Sequence, residues 1–211
     1  MIFNEVDIEK ILKSFATGKK LFPCEAQFQF ELALEIKKRF PNCEVHLEFP
    51  SVNAFSNGRH IYYDLVVQDG NEYYVIELKY KTKKASILYK GINIDLKNQA
   101  AQDLGRFDYL QDIVRIENWG YNNTGKNFVG GCAILLTNDP VYWKYNGAGC
   151  NYQAFSLQDK TTIVAGQKNW APNTPVTSTG KNRINGLKIN NNYGVVWQDY
   201  YQGFRYLMES I

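Results

Sequence analysis

Ile61-Tyr62-Tyr63-Asp64-Leu65-Val66-Val67 and Tyr73-Tyr74-Val75-Ile76-Glu77-Leu78-Lys79 are two apolar runs flanking Gln68-Asp69-Gly70-Asn71-Glu72. β-branched and aromatic residues favour strands, and a Gly- and Asn-bearing link between such runs favours a tight turn. The stretch therefore reads as a β-hairpin. Strand side chains alternate, so Glu77 and Lys79 share a face and Leu78 takes the other. A two-residue turn at Gly70-Asn71 sets Asp64 opposite Glu77. A turn at Asp69-Gly70 sets it opposite Val75, diagonal to Glu77. Both registers gather Asp64, Glu77 and Lys79 on one face. A three-residue loop would not, because a one-residue slip flips every side chain.

That face is otherwise apolar: Tyr62, Val66, Tyr73 and Val75 share its parity. Charges there are partly buried, which is costly unless they are paired or hold a metal. One reading is a cross-strand salt bridge between Lys79 and a carboxylate. The other is a cation site, because two carboxylates suit Mg²⁺, which keeps several waters and binds substrate phosphate.

Asp64, Glu77 and Lys79 in this arrangement resemble the PD-(D/E)XK nuclease superfamily, with Tyr63 standing where the family pattern has proline. The resemblance implies a restriction endonuclease-like fold. It implies that Asp64, Glu77 and the Leu78 carbonyl bind Mg²⁺ (or Mn²⁺) and that Lys79 assists the attacking water. The tripeptide alone carries little. Glu35-Ile36-Lys37 repeats it in a helical segment, where residues two apart point to nearly opposite sides.

The flanking segments supply context. A helix is expected from about Cys24 to Phe40, after a short one over Asp7–Phe15. On a wheel Phe28, Leu32, Ile36 and Phe40 form its apolar stripe, and Glu25 and Gln29 fall inside that stripe. Glu25 reads either as a favourable acid in a first helical turn or as a third metal-site carboxylate, which the resemblance also offers. A strand at Cys43–Phe49 precedes the hairpin. A second long helix is expected from about Ile94 to Asn118, with Leu96, Phe107, Leu110 and Val114 in its core stripe. Gln99, Gln102, Asp103 and Arg106 line one edge of it. They resemble the Gln-x-x-Gln-Asp-x-Gly-Arg helix of a prokaryotic branch of the superfamily, which implies contacts from Gln99, Gln102 and Arg106 to nucleic-acid phosphates. Both helices are expected to converge on the charged hairpin face. Of the lysines after the hairpin, Lys81 has Lys79's parity and is the candidate phosphate contact. Lys83 and Lys84 read as a solvated loop.

The apolar strand Gly131–Thr137 completes the order α-β-β-β-α-β over about residues 22–140. The expected fold class is α/β, a three-layer core with a central mixed sheet flanked by helices. A β-rich extension over about 141–211 completes a single domain. In that extension, Tyr152–Leu157 and Thr161–Ala165 read as one hairpin. Leu187–Ile189 and Tyr193–Trp197 read as another, and Pro172–Asn182 as a loop. Trp170, Tyr193, Trp197 and Tyr200 read as core aromatics in preference to base-stacking platforms.

A net charge of +3 permits a nucleic-acid partner without demanding one. Four cysteines without a Cys-x-x-Cys, and only His46 and His60 to assist them, argue against zinc and for reduced thiols in a cytoplasmic protein. No secretory signal or membrane span is evident. The expected activity is metal-dependent phosphodiester hydrolysis of nucleic acid, with DNA foremost. A homodimer is among the expectations because restriction-type nucleases commonly dimerise. Two alternatives stand beside it: an inactive nucleic-acid-binding or assembly module on the same fold, and a β-rich carbohydrate- or protein-binding protein.

Overall fold

A computed structural model describes residues 4–56, 59–145, 149–180 and 183–211. The first three residues of the N-terminus and the last two of the Pro172–Asn182 segment lie outside them. Two helices open the chain, α1 (Glu5–Thr17) and α2 (Glu25–Arg39). Strands β1 (Glu44–Ser56), β2 (Arg59–Asp69) and β3 (Glu72–Lys81) follow, then a small hairpin of β4 (Ala85–Tyr89) and β5 (Ile92–Leu96). Next come α3 (Gln102–Glu117), the one-turn α4 (Trp119–Asn122) and β6 (Asn127–Thr137). The C-terminal part carries β7 (Thr161–Ile163), β8 (Gly166–Lys168), α5 (Val176–Thr179), β9 (Leu187–Ile189), β10 (Tyr193–Val195), β11 (Gln198–Asp199) and β12 (Arg205–Ser210).

One mixed sheet, ordered β1-β2-β3-β6-β12-β11, divides the molecule. β3 and β6 run parallel, and the other neighbours are antiparallel. Parallel neighbours need a crossover, which β4, β5 and α3 supply. One face buries Leu65, Val67, Ile76 and Leu78 against α1 and α2 through Ile11, Phe28, Leu32 and Ile36. The other buries Val66, Val75, Ala133 and Leu135 against α3 through Phe107, Leu110 and Ile113. The expected mixed α/β sheet flanked by helices is therefore present. The two helices do not converge on one hairpin face, as the sequence suggested. They lie on opposite faces, because apolar residues of both parities along β2 and β3 need cover on both sides.

The hairpin turn is the two-residue one. Asp69 pairs with Glu72, leaving Gly70-Asn71 to turn the chain, with Gly70 at φ +59°. That left-handed conformation is one glycine adopts without steric cost. The register runs Val66 to Val75 and Leu65 to Ile76, so Asp64 comes next to Glu77 and the ladder stops there. At the same level on β1, Glu48 sits at φ +50° between the pairs Leu47–Leu65 and Phe49–Tyr63. Parity switches at this point. Tyr63 joins Val66 under α3, and Tyr62, expected on that face, is 45% exposed.

Other sequence expectations change as well. Residues 94–101 are not helical: Ile94 and Leu96 belong to β5, and α3 starts only at Gln102, after Ala101 at φ +63°. Leu96 is buried, but under the α2 side of the sheet, where a strand residue in a hairpin can reach. In the extension, Gln153–Phe155 forms a 3₁₀ turn instead of a strand. β7 pairs with β10, and β8 with β9, so residues 161–168 and 187–195 make one broken antiparallel ribbon, not two local hairpins. The Pro172–Asn182 loop contains the single turn α5. Strand β12, absent from the sequence reading, enters the sheet beside β6. Trp170, Tyr193 and Trp197 are buried as expected of core aromatics, with Trp170 stacked on Phe107 at 5.6 Å.

The fit of α3 on the sheet depends on Gly131. A β-carbon there would lie 2.5 Å from Ile116 Cγ2 and 2.7 Å from the Val75 carbonyl oxygen. Gly131→Ala is expected to destabilise the protein by about 1–3 kcal/mol, because neither the helix nor β3 can yield freely. Thermal denaturation checks this; the expected fall is about 2–4 °C per kcal/mol.

Candidate active site

Beyond Ile76, β3 has no strand along its β2 edge, and its backbone donors must be satisfied otherwise. Side chains do so in sequence. The Leu78 N–H donates to Asp64 Oδ2 at 2.6 Å. The Tyr80 N–H donates to Glu25 Oε2 at 2.6 Å. The Thr82 N–H donates to Gln99 Oε1 at 2.8 Å. Three residues expected to act together are thus brought to one open strand edge, from β2, the start of α2, and the loop before α3. Glu25 arrives from the α2 side, as its place inside the apolar stripe anticipates. Gln29, one turn on, donates to the Asp64 carbonyl at 2.7 Å and to Glu48 Oε1 at 3.0 Å, fixing the bend in β2.

On the opposite face Glu77 and Lys79 point toward α3. Glu77 is completely buried, and neither carboxylate oxygen accepts a hydrogen bond. Arg115 Nη1 stands 3.2 Å from Glu77 Oε1 and 3.3 Å from Asp112 Oδ1, while its Nη2 donates to the Tyr62 carbonyl at 2.6 Å. Lys79 Nζ lies 2.7 Å from Asp112 Oδ2 and donates to the Leu78 carbonyl at 3.2 Å. Three carboxylates, Asp64, Glu77 and Asp112, therefore surround two cations. Burial, then Asp112 and Asp64, push the Glu77 carboxyl well above the usual range, with Arg115 and Lys79 offsetting only part. Burial also raises Asp112, to about 6, against the pull of Lys79 and Arg115. Burial works against the Lys79 charge, but Asp112, Asp64 and Glu77 outweigh it and hold the ammonium above its ordinary value.

Asp112 and Arg115 were not anticipated. Their signal was present: Tyr109, Asp112, Ile113 and Ile116 follow i, i+3, i+4, i+7, so Asp112 is a charge inside an apolar stripe. The expected helix edge of Gln99, Gln102 and Arg106 does not exist. Gln99 precedes the helix and clamps Thr82, its N–H also donating to the Thr82 carbonyl at 2.8 Å. Gln102 donates to Asp139 Oδ2 at 2.9 Å. Arg106 is fully buried, with the Tyr142 and Tyr152 rings 5.3 and 4.8 Å from its guanidinium carbon, and donates to the Val141 carbonyl. Its partners belong to the extension, which covers that side of α3. Lys81, half-buried, ends β3 opposite Thr137 of β6.

No family model, curated protein or solved structure matches this chain. Among the described residues, no three His, Cys, Asp or Glu side chains form a ready cation cage, and no helix is long and apolar enough to cross a membrane. Cys24, Cys43, Cys132 and Cys150 are free thiols.

Proposed function

We propose that the protein hydrolyses phosphodiester bonds of nucleic acid, with DNA the foremost substrate, in a metal-dependent reaction at the open edge of β3. The observation that carries this reading is Glu77, fully buried with both oxygens lacking a hydrogen-bond donor, beside an Asp64 held on the Leu78 N–H. One carboxylate in excess, its oxygens without a hydrogen bond and faced by Arg115 alone at 3.2 Å, suits an added cation. Mg²⁺ needs only one or two carboxylates plus waters and substrate phosphate, so a protein cage of three is not required. Asp64, Glu77 and the Leu78 carbonyl are the groups that would hold it. The ion would neutralise phosphate charge and make water nucleophilic near neutral pH.

The chain's own residues divide the remaining work. Lys79, kept charged by Asp112, is suited to stabilising negative charge on the phosphate rather than to accepting a proton. Glu25 and Gln99 hold the β3 edge open and rigid where substrate would enter. The order α2, β1, β2, β3, α3, β6, with β3 parallel to β6, supports a restriction endonuclease-like core. An inactive module on the same fold is favoured by one observation, the closed Lys79–Asp112 contact.

Purified protein is expected to cleave single- or double-stranded DNA with Mg²⁺ or Mn²⁺, and to lose this with a chelator and in Asp64→Ala. Cleavage unchanged in that variant would be contamination. No metal-dependent cleavage of DNA or RNA would leave the inactive module.

A further inference from the structure

The root of the β4–β5 hairpin concentrates unpaired positive charge beside the candidate site. The hairpin's last pair is Ala85 with Leu96, and the next link is Thr82 to Gln99. The four residues between are Lys83 and Lys84 on one side, Lys97 and Asn98 on the other. The Thr82 hydroxyl donates to the Lys97 carbonyl at 2.6 Å, drawing the two sides together. Lys84 and Lys97 flank the last ladder pair, one on each side, so like charges are gathered where the two sides leave the hairpin. Among the described residues, no ion pair is made by Lys81, Lys83, Lys84 or Lys97, so what sets this root apart is four lysines gathered within two short segments.

The root is also held in place. The Lys83 N–H donates to Asn138 Oδ1 at 2.7 Å, and Asn138 Nδ2 returns a bond to the Lys83 carbonyl at 3.1 Å. Ile87, Tyr89 and Ile94 pack the hairpin onto the core. These bonds fix the backbone from which the lysines project, so the charges are presented from a set position. The Thr82–Gln99 clamp joins the root to the edge where Glu25 and Asp64 sit.

We infer that Lys83, Lys84 and Lys97 form a docking surface for a nucleic-acid backbone, seating phosphates next to the one presented at β3. The identity of the polyanion rests on the proposed function; the surface itself does not require cleavage. Neutralising a phosphate releases bound counterions, so each contact makes affinity fall more steeply with salt.

The test is fluorescence anisotropy of a labelled DNA oligonucleotide, single-stranded or duplex, across a salt series in EDTA, which blocks cleavage. Lys84→Gln/Lys97→Gln is expected to bind about tenfold more weakly at moderate salt and to lose about 2 from the log–log salt slope. Lys84→Arg/Lys97→Arg should retain binding, and Lys188→Gln, an exposed lysine on β9, should match wild type. Equal affinity and slope in the glutamine variant overturns the docking surface, as does wild-type protein that binds neither DNA form. Lysine-dependent binding without cleavage of DNA or RNA in Mg²⁺ or Mn²⁺ upholds the surface and removes the nuclease reading. Loss per lysine nearer 0.9 marks duplex, and nearer 0.7 a single strand.

Discussion

Glu77→Gln is expected to raise the melting temperature of the metal-free protein while reducing metal-dependent cleavage about a thousandfold or more. The two effects share a cause. Glu77 is the third carboxylate around two cations, with no exposure and no hydrogen-bond donor on either oxygen. Glutamine keeps the shape and leaves Asp64 and Asp112 matched against Lys79 and Arg115. Relief of a surplus buried carboxylate that Arg115 and Lys79 offset only in part is worth about 1–3 kcal/mol, or several degrees in a chain of this size. The sign follows from linkage. Glu77 holds its proton more tightly when folded than when unfolded, so its ionisation costs stability as pH rises above the ordinary carboxylate range. Thermal melts in EDTA should therefore show the variant's advantage growing from pH 4 upward. Activity moves the other way, because metal stabilisation of transition-state charge is worth several kcal/mol. A purely structural salt-bridge network predicts the reverse: lower stability, with no cleavage to lose. A variant that is both less stable and no less active would sink the site.

The sequence made the hairpin and its acids legible, and narrowed the register to two turns, because each rests on short-range rules. Turn chemistry at Gly70-Asn71 sets the pairing, and alternation then places Glu77 and Lys79. Glu25 was legible because a wheel shows an acid within an apolar stripe. The same reasoning applied at Gln99–Arg106 assumed a helix that had not yet begun. Ile92–Leu96 alternates well enough for a strand, and its partner β4 pairs with it locally, so strand pairing took residues that a helical wheel also accommodates. The extension failed for a different cause. β7, β9 and β10 fall within the expected runs and β8, β11 and β12 do not, but the larger miss is pairing: β7 joins β10 and β8 joins β9, and long-range pairing leaves no mark in any single segment. The bend at Asp64, which turns its carboxylate onto the Leu78 N–H, comes from Glu48 in a conformation that composition does not announce.

Arg115→Met is expected to carry the largest stability penalty in the cluster, about 3–5 kcal/mol near neutral pH. Arg115 is ion-paired with Glu77 at 3.2 Å and with Asp112 at 3.3 Å, and it donates to the Tyr62 carbonyl at 2.6 Å. Methionine fills the space of the stem but leaves two buried carboxylates to share Lys79. The penalty must depend on pH. In the wild type, Asp112 sits at about 6 when folded against 3.8 for an ordinary aspartate, so between these values the folded state binds the proton more tightly and stability falls as pH rises. Without Arg115 both Asp112 and Glu77 shift further up, widening that window toward neutral pH. The difference between variant and wild type should thus be greatest at pH 7 and above and shrink as pH falls below about 5, where both carboxyls are protonated in the variant. Urea denaturation in EDTA at a series of pH values reads this directly. A penalty independent of pH would mean that Arg115 acts through packing and its bond to Tyr62 alone, and that the charges on Glu77 and Asp112 are balanced by something other than α3.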